Sequence, residues 1–323
     1  MHYTALGRSG AVVSRIALGT MNMGPIVDQE ESFRLLDHAR DQGITFFDTA
    51  DVYGGAPWGD HPGQTENIVG QWLHSRGCRD DVVLATKVHG PMGPGGNESG
   101  LSALYIRRAV DASLRRLKTD HIDLYQMHHI DRTVPADEVL AAFSLLHAQG
   151  KITYLGSSNF AGWNIAQYRE LAAATGGLPL VTEQSVYSLL KRDIELEVVP
   201  ATRHYAMGLL PWSPLASGLL GGVLAKSTAG PRSSRAPIDG LLRSQLEEFE
   251  TFARQRNLAP AILGLAWLLA QPVVTAPVVG PRTTAHIDDA VAALDVELTP
   301  DDLARLDAIF PGPGGQAPEA YAW

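Results

Sequence analysis

The chain has 323 residues, of which 45% are hydrophobic and 19% charged, enough apolar material for one large buried core. Its formal net charge of −9 argues against nucleic acid and against an anionic membrane surface as partners. No apolar run is long enough to cross a bilayer, and the first ten residues lack the apolar core of a signal peptide. The single cysteine, Cys78, cannot form an internal disulfide, so a reducing compartment, the cytoplasm, is expected.

Short apolar segments alternate with amphipathic segments along the whole sequence. Turn residues at 7–10, between short apolar pieces, predict a hairpin over residues 1–13 that closes the bottom of the following domain. The next apolar segments are rich in β-branched and aromatic residues, and they predict strands of a parallel sheet that is buried on both faces. The predicted strands cover residues 16–18, 45–47, 82–86, 122–127, 152–156, 181–184, 208–212 and 276–279.

Helices are predicted where apolar residues recur at three- and four-residue spacing between the strands. The run AILGLAWLLA at 261–270 follows Pro260, which suits the first turn of a buried helix. Trp72, Trp163 and Trp267 lie in helical patterns and are predicted to pack in the core or between helices. The predicted helices cover residues 32–42, 102–117, 135–149, 162–174, 241–257 and 261–270.

Eight strand–helix units with no change of pattern favour a closed (β/α)8 barrel over an open doubly wound sheet. The prediction is therefore an α/β fold with one domain over residues 1–323. Two long segments interrupt the repeat: the Gly/Pro-rich residues 90–100, after the third strand, and residues 213–239, after the seventh. Both follow the carboxyl ends of strands, where barrel enzymes have their active sites, so they are predicted to be lids.

Four polar residues end or follow predicted strands, so barrel closure would bring them to one face. Asp48 and Tyr53 lie in FFDTADVYGG, Lys87 in VLATKV and His128 in DLYQMHH. Each alone has a structural explanation: Asp48 as a helix N-cap, Tyr53 as a turn residue and Lys87 as a solvated strand end. Together, a phenol, a lysine, an aspartate and an imidazole form a set that can donate a proton.

The chain resembles the aldo-keto reductase superfamily in seven segments that follow the family's order and spacing: LGTMNMG, FFDTADVYGG, ATKV, DLYQMHHID, GKITYLGSSNF, WSPLASGLL and VVGPRTT. It is most similar to the branch that contains potassium-channel β-subunit relatives and bacterial keto-sugar reductases. The segments HHIDR, GSSNFAGW and LLGGVL and the PEAYAW tail are similar to actinobacterial members, some of which act in deoxysugar biosynthesis. The resemblance implies a TIM barrel with an N-terminal hairpin.

The resemblance also implies NADPH-dependent reduction of an aldehyde or ketone. Tyr53 would protonate the carbonyl oxygen as general acid, with its pKa lowered from about 10 by Lys87. Asp48 would hold Lys87 charged, and His128 would orient the carbonyl or relay a proton. The family spacing after DLY selects His128 rather than His129. The hydride must come from a nicotinamide, because no side chain can donate one.

In the family's cofactor site, Ser158, Asn159 and Gln184 would hydrogen-bond the nicotinamide carboxamide, and Trp212 would stack on the ring. Arg282 would grip the adenosine 2′-phosphate, which favours NADPH over NADH. The predicted cofactor-binding residues are Gly19, Thr20, Met21, Asp48, Ser158, Asn159, Gln184, Trp212, Ser213, Pro214, Leu215, Gly218, Leu220, Gly280, Arg282, His286 and Asp289.

Three positions depart from the commoner family pattern. Glu183 stands where Asn is frequent, His286 where Gln or Arg is frequent, and Ala290 where an Asn often meets the adenine. The missing Asn side chain would weaken the contact with the adenine.

A small-molecule carbonyl compound is the predicted partner, and a keto-sugar or a bulky natural-product ketone is the predicted substrate. The oligomeric state stays open, because channel-subunit relatives form rings and many other members are monomers. The predicted substrate pocket lies among the long loops at the carboxyl end of the barrel. It is lined by Met21, Tyr53, Trp58, His128 and His129.

Two other functions stay open at this point. One is a regulatory module that holds nucleotide, like the channel β-subunits, and needs no proton donor. The other is a glycosidase, which needs two carboxylates across a cleft, and for which Asp48 and Glu183 are the nearest candidates. No cluster of His, Cys and Asp has the spacing of metal ligands.

Overall fold

The structure is a computed structural model that describes residues 1–57, 59–224, 238 and 240–321. Within these ranges, eight parallel strands form one curled sheet, and a two-stranded antiparallel hairpin precedes it. The hairpin consists of β1 (Tyr3–Ala5) and β2 (Val12–Ser14). The sheet consists of β3 (Ala17–Gly19), β4 (Phe46–Asp48), β5 (Val83–Val88), β6 (Ile122–Met127), β7 (Ile152–Ser158), β8 (Leu180–Gln184), β9 (Gly208–Leu209) and β10 (Val278–Val279).

The sheet closes on itself, as the predicted barrel requires. Strands β3 to β9 pair in chain order, and β10 pairs with β3. After β9 the chain runs beside β10, where the Val278 N–H donates to the Pro211 carbonyl at 2.8 Å and Trp212 bridges to Val278 in parallel. The seventh barrel strand, β9, is shorter than the predicted 208–212, although the N–H groups of Leu210 and Trp212 still donate to the chain of β8 and the residue after it, at 2.9 and 3.0 Å. The α/β barrel predicted from the strand–helix repeat is confirmed.

Helices cover the outer face of the sheet. The predicted helix over 32–42 begins earlier, at Gln29, because the Asp28 side chain caps it by accepting from the Glu31 N–H at 2.9 Å. The helices are α1 (Gln29–Asp41), α2 (Gln64–Arg76), α3 (Ala103–Leu117), α4 (Ala136–Ala148), α5 (Gly162–Thr175), α6 (Val198–His204), α7 (Gly240–Gln255), α8 (Pro260–Leu269), α9 (Thr284–Ala292) and α10 (Pro300–Ile309).

The hairpin of β1 and β2 closes the amino-terminal end of the barrel, as predicted. Leu6 and Val13 are fully buried in a cluster with side chains from the first residues of the barrel strands. Gly7 sits at the closest approach, with φ of +55° and so little room that an added Cβ would lie 2.2 Å from the Val181 carbonyl oxygen. The carboxyl-terminal end of the barrel is therefore the end that is left for a functional site.

The larger core lies between the sheet and the helices. Trp72 is fully buried, its ring centroid is 5.4 Å from that of Phe47, and its indole N–H donates to Asp37 Oδ1 at 2.7 Å. Trp267 is also buried, as predicted. The prediction for Trp163 is wrong: its side chain is 56% exposed, because it lies on the face of α5 opposite the buried Ile165.

Parts of the sequence predictions fall outside the described ranges. These are Trp58 of the predicted substrate pocket, and residues 225–237 and 239 of the second predicted lid. Over the ranges that are described, no helix has both the length and the apolar character to cross a membrane.

The two tryptophans Trp72 and Trp163 form a matched pair for testing the core. Trp72→Ala should lower the free energy of unfolding by about 3–5 kcal/mol, because it leaves a large cavity between α2 and β4. Trp163→Ala should change it by no more than about 0.5 kcal/mol. Urea unfolding of both variants measures the difference, and similar losses would contradict this packing.

Candidate active site

The four residues that were predicted to donate a proton meet at the carboxyl end of the barrel. Asp48 is the last residue of β4, Lys87 is the fifth residue of β5, and His128 directly follows β6. Tyr53 lies in the loop after β4 and is buried. Because parallel strands present their carboxyl ends on one face, residues far apart in sequence converge there.

Lys87 lies at the centre of this group and is completely buried. Its ammonium Nζ lies 2.5 Å from Asp48 Oδ1, 3.3 Å from the Tyr53 hydroxyl and 3.0 Å from the Thr49 carbonyl oxygen. Burial lowers the pKa of Lys87, but Asp48 and then Tyr53 more than offset this, so the pKa lies above its ordinary value. Lys87 is therefore a fixed cation beside the phenol.

The second oxygen of the Asp48 carboxylate is held by two amides. Gln126 Nε2 donates to Asp48 Oδ2 at 3.0 Å, and Gln184 Nε2 donates to the same atom at 2.9 Å. Both carboxylate oxygens are thus satisfied, which fixes the orientation of the partner of Lys87. The sequence analysis missed Gln126, although its position two residues before His128 on an alternating strand could have indicated an inward-facing side chain.

His128 packs against Tyr53, with ring centroids 5.8 Å apart in an edge-to-face arrangement. Burial first, and then Lys87, His129 and His89, hold the pKa of His128 well below its usual range. His128 is therefore neutral at pH 7 and can donate a hydrogen bond without carrying a charge. His129 is exposed at the rim and stacks on His128 at 5.1 Å, and His89, which the sequence analysis missed, contacts His129 at 5.4 Å.

The residues that were predicted to hold a nicotinamide carboxamide are hydrogen-bonded to one another. They lie beside the four residues that meet around Lys87. The Ser158 hydroxyl donates to the Gln184 carbonyl oxygen at 2.8 Å. The Asn159 amide donates to the His128 carbonyl oxygen at 3.2 Å and accepts from Trp212 Nε1 at 3.0 Å. The Trp212 ring is 38% exposed on the same face. Gln184 therefore joins this set to Asp48.

The loop that follows Trp212 turns through left-handed backbone. Ser213, Ala216, Ser217 and Gly218 have φ of 53°, 49°, 58° and 96°. Such backbone is strained for residues other than glycine, and it is most often retained at functional segments. Among the described residues, no atom lies within 4 Å of an added Cβ on Gly218, so none of them covers its backbone. Of the other predicted loop residues, Leu215 is half-buried, while Pro214 and Leu220 are buried.

The residues that were predicted to bind the adenosine phosphate lie after β10. The backbone N–H of Arg282, which lies just before α9, donates to Nδ1 of His286 at 3.2 Å. His286 lies in the first turn of that helix. Ala290 is fully buried, so its side chain cannot reach a ligand. Asn22 Nδ2 donates to the Gly280 carbonyl oxygen at 2.9 Å and ties the loop after β3 to this region. The other predicted residues here are Gly19 and Thr20, both buried, and Met21 and Asp289, both half-buried.

Glu183 does not face Asp48 across a cleft. Neighbouring strand residues point to opposite faces, and Gln184 reaches Asp48 inside the barrel, so Glu183 points towards the helix layer. Burial raises the pKa of Glu183 to about 7. The pair of carboxylates that a glycosidase needs is therefore not formed by these two residues. Within the described part of the chain, no group of three His, Cys, Asp or Glu is placed to hold a metal ion.

Comparison with known proteins agrees with this geometry. The sequence profile of the Aldo/keto reductase family matches residues 15–310. The chain is 50% identical to the uncharacterized oxidoreductase YrpG of Bacillus subtilis over all of both chains. It is 32% identical to versiconal hemiacetal acetate reductase of Aspergillus parasiticus, over 97% of this chain and 99% of the relative. It is 33% identical to a probable voltage-gated potassium channel subunit beta of Oryza sativa subsp. japonica, over 96% of each. The chain therefore belongs to the aldo/keto reductase family, and the comparisons support an oxidoreductase that reduces carbonyl compounds.

The raised pKa of Glu183 makes a prediction for stability against pH. The folded state holds this proton more tightly than the unfolded state, whose pKa is near 4.5, so the contribution is present at low pH and is lost as pH rises through about 7. Between pH 6 and pH 8, wild type should lose roughly 1.3 kcal/mol relative to Glu183→Gln. Urea unfolding of both proteins across this range measures the difference, and a constant difference would refute it.

Proposed function

We propose that this member of the aldo/keto reductase family is an NADPH-dependent carbonyl reductase that converts an aldehyde or ketone to an alcohol. The observation that carries the proposal is the buried Lys87 ammonium, held between the Asp48 carboxylate and the Tyr53 hydroxyl. A module that only holds nucleotide has no need of a phenol placed on a buried cation, so this arrangement favours an enzyme.

In the proposed mechanism, Tyr53 is the general acid. As its proton leaves for the carbonyl oxygen, a phenolate forms 3.3 Å from the Lys87 ammonium, whose positive charge stabilises it. Asp48, held by Gln126 and Gln184, keeps that ammonium in place before the reaction begins. When bound, reduced nicotinamide supplies the hydride.

His128 has a different part in the proposal. Because the Lys87 charge and burial keep His128 neutral, it serves as a hydrogen-bond donor that orients the carbonyl oxygen towards Tyr53. Of the two roles that were open for His128, orientation is thus favoured over supply of the proton. Tyr53 follows β4 and His128 follows β6, with Lys87 on β5 between them, and their ring centroids are 5.8 Å apart, so both could reach one carbonyl oxygen.

The residues present fit a nicotinamide cofactor. The hydroxyl of Ser158 and the amides of Asn159 and Gln184 match the donors and acceptors of a carboxamide, and the exposed Trp212 ring offers a flat surface for stacking. The open backbone near Gly218 would hold the pyrophosphate, with the rest of the predicted cofactor set around it. Arg282 and His286, at the N-terminus of α9, would hold the 2′-phosphate.

The rim of the site supports a polar, bulky carbonyl substrate. An apolar cluster of Ala50, Val52 and Tyr53, with Met21 packed against it, adjoins the exposed His129. Imidazole rings can stack on a substrate and hydrogen-bond its hydroxyl groups. A keto-sugar or a hydroxylated natural-product ketone, reduced in the cytoplasm, fits this combination.

Removal of the Tyr53 hydroxyl tests the acid. Tyr53→Phe should lower kcat for a simple aromatic aldehyde by about 10²–10⁴-fold and leave the Kd for NADPH within about twofold, because the phenol acts only on the proton transfer. NADPH absorbance measures turnover, and Tyr154→Phe, in β7, is the matched control. An unchanged kcat in Tyr53→Phe would exclude this mechanism.

Removal of the Arg282 side chain tests the cofactor preference. Arg282→Ala should raise the Kd for NADPH by about 10–100-fold, since charged hydrogen bonds to the phosphate are lost, and should leave the Kd for NADH within about twofold. Quenching of tryptophan fluorescence measures both. Arg115→Ala, an exposed arginine on α3, is the control. Equal losses for the two cofactors would contradict the 2′-phosphate assignment.

A further inference from the structure

Glu183 is a carboxylate at a fully buried position, where an ionisable side chain is uncommon. It is fully buried in β8, on the side of the strand that faces the helix layer. A charged group in such surroundings is costly unless its hydrogen bonds are satisfied, and an apolar residue of similar volume would avoid that cost. Glu183 has no part in the proton transfer proposed above. Its contacts show what it does instead.

Three donors converge on the Glu183 carboxylate. The Ser157 hydroxyl donates to Oε2 at 2.5 Å. The Ser185 hydroxyl donates to Oε1 at 2.6 Å, and the Phe160 N–H donates to the same oxygen at 3.1 Å. One side chain therefore links three places: the end of β7, the turn two residues before α5, and the residue that follows β8. Because burial raises the pKa of Glu183 to about 7, the ionised carboxylate, which accepts from all three donors, prevails above that pH, and there its hydrogen bonds are charge-assisted.

The donors bracket the residues that would hold the nicotinamide carboxamide. Ser158 and Asn159 are the two residues between Ser157 and Phe160. Gln184 is the single residue between Glu183 and Ser185. The carboxylate therefore holds residues on both sides of the contact residues, through the hydroxyls of Ser157 and Ser185 and the backbone N–H of Phe160.

The turn formed by residues 157–160 contains an unfavourable backbone conformation, from which it would relax if nothing held it. Asn159 has φ of +60°, a left-handed conformation that costs asparagine less than most L-residues but more than glycine. Its amide must nevertheless hold a fixed position, since it donates to the His128 carbonyl and accepts from Trp212. Anchors on either side of Asn159 keep this turn in its strained form.

We propose that Glu183 is a positioning residue for the cofactor: its carboxylate clamps the 157–160 turn and the end of β8, so that Ser158, Asn159 and Gln184 present one fixed geometry to the nicotinamide carboxamide. This inference rests on the proposed function. It differs from a general stabilising role because the clamp acts at the nicotinamide end of the cofactor and not at the adenosine end, near Arg282.

Two substitutions and two ligands separate these roles. Glu183→Met removes every acceptor and should raise the Kd for NADPH at least tenfold. Its Kd for 2′-phospho-ADP-ribose, which lacks the nicotinamide, should stay within twofold. Glu183→Gln keeps one acceptor oxygen for Ser185 and Phe160 and should recover most of the NADPH affinity. Isothermal titration calorimetry of the purified full chain measures all of these.

The control is Asp302→Asn, which alters a buried carboxylate in the capping box of α10, away from this site. It should change neither affinity. If Glu183→Met does not fold, Ser157→Ala and Ser185→Ala each remove one donor. Each should lower the affinity for NADPH and leave the affinity for 2′-phospho-ADP-ribose unchanged.

If Glu183→Met lost affinity equally for both ligands, or kept its affinity for NADPH, the proposed clamp would be overturned. A wild-type chain that binds 2′-phospho-ADP-ribose as tightly as NADPH would also overturn it, because the nicotinamide end would then contribute nothing. Failure of the wild-type chain to bind either ligand would instead refute the proposed function itself.

Discussion

The buried ammonium of Lys87 is the constraint on which the rest of the site depends. A cation in the barrel interior requires an ionised partner, and Asp48 supplies it at 2.5 Å. Asp48 in turn needs donors for its second oxygen, and Gln126 and Gln184 supply them. The Gln184 carbonyl then accepts from Ser158, so the need to satisfy one buried charge extends across five strands, β4 to β8. The proposed acid and the proposed cofactor site are consequently parts of one hydrogen-bonded unit.

Along the barrel axis, this polar group of residues lies at one end and an apolar cluster lies at the other. At the amino ends of the strands, Leu6 and Val13 of the hairpin close an apolar plug. At the carboxyl ends, the inward positions are polar and pair with one another. Glu183 is a further polar side chain at this end, on the outer side of β8. Both of its carboxylate oxygens accept hydrogen bonds from residues close to it. The buried charged groups Asp48, Lys87 and Glu183 thus lie at the end of the barrel where the proposed chemistry takes place.

The same charge assigns different roles to two neighbouring groups. Burial, and then the charge of Lys87, disfavour a second proton on His128, while the same charge would stabilise a phenolate at Tyr53. In the proposed mechanism, one buried cation therefore distinguishes the group that gives up a proton from the group that orients the substrate. A neutral His128 also avoids repulsion between two cations in a small space.

The sequence by itself determined the parallel barrel, the order of its strands and the four residues Asp48, Tyr53, Lys87 and His128, because hydrophobic periodicity and residues at strand ends are local signals. It did not identify Gln126, His89 or the bonds of Glu183, and it misplaced Trp163. Those features depend on which strands are neighbours and which face of a helix or strand meets them, and pairing distances are not encoded in any single segment. Only the tertiary structure decided that Asp48 is shared by one lysine and two glutamines, that His128 is neutral and that Glu183 points away from Asp48. The physical reason is that burial and the proximity of charges arise only when the strands close into a barrel.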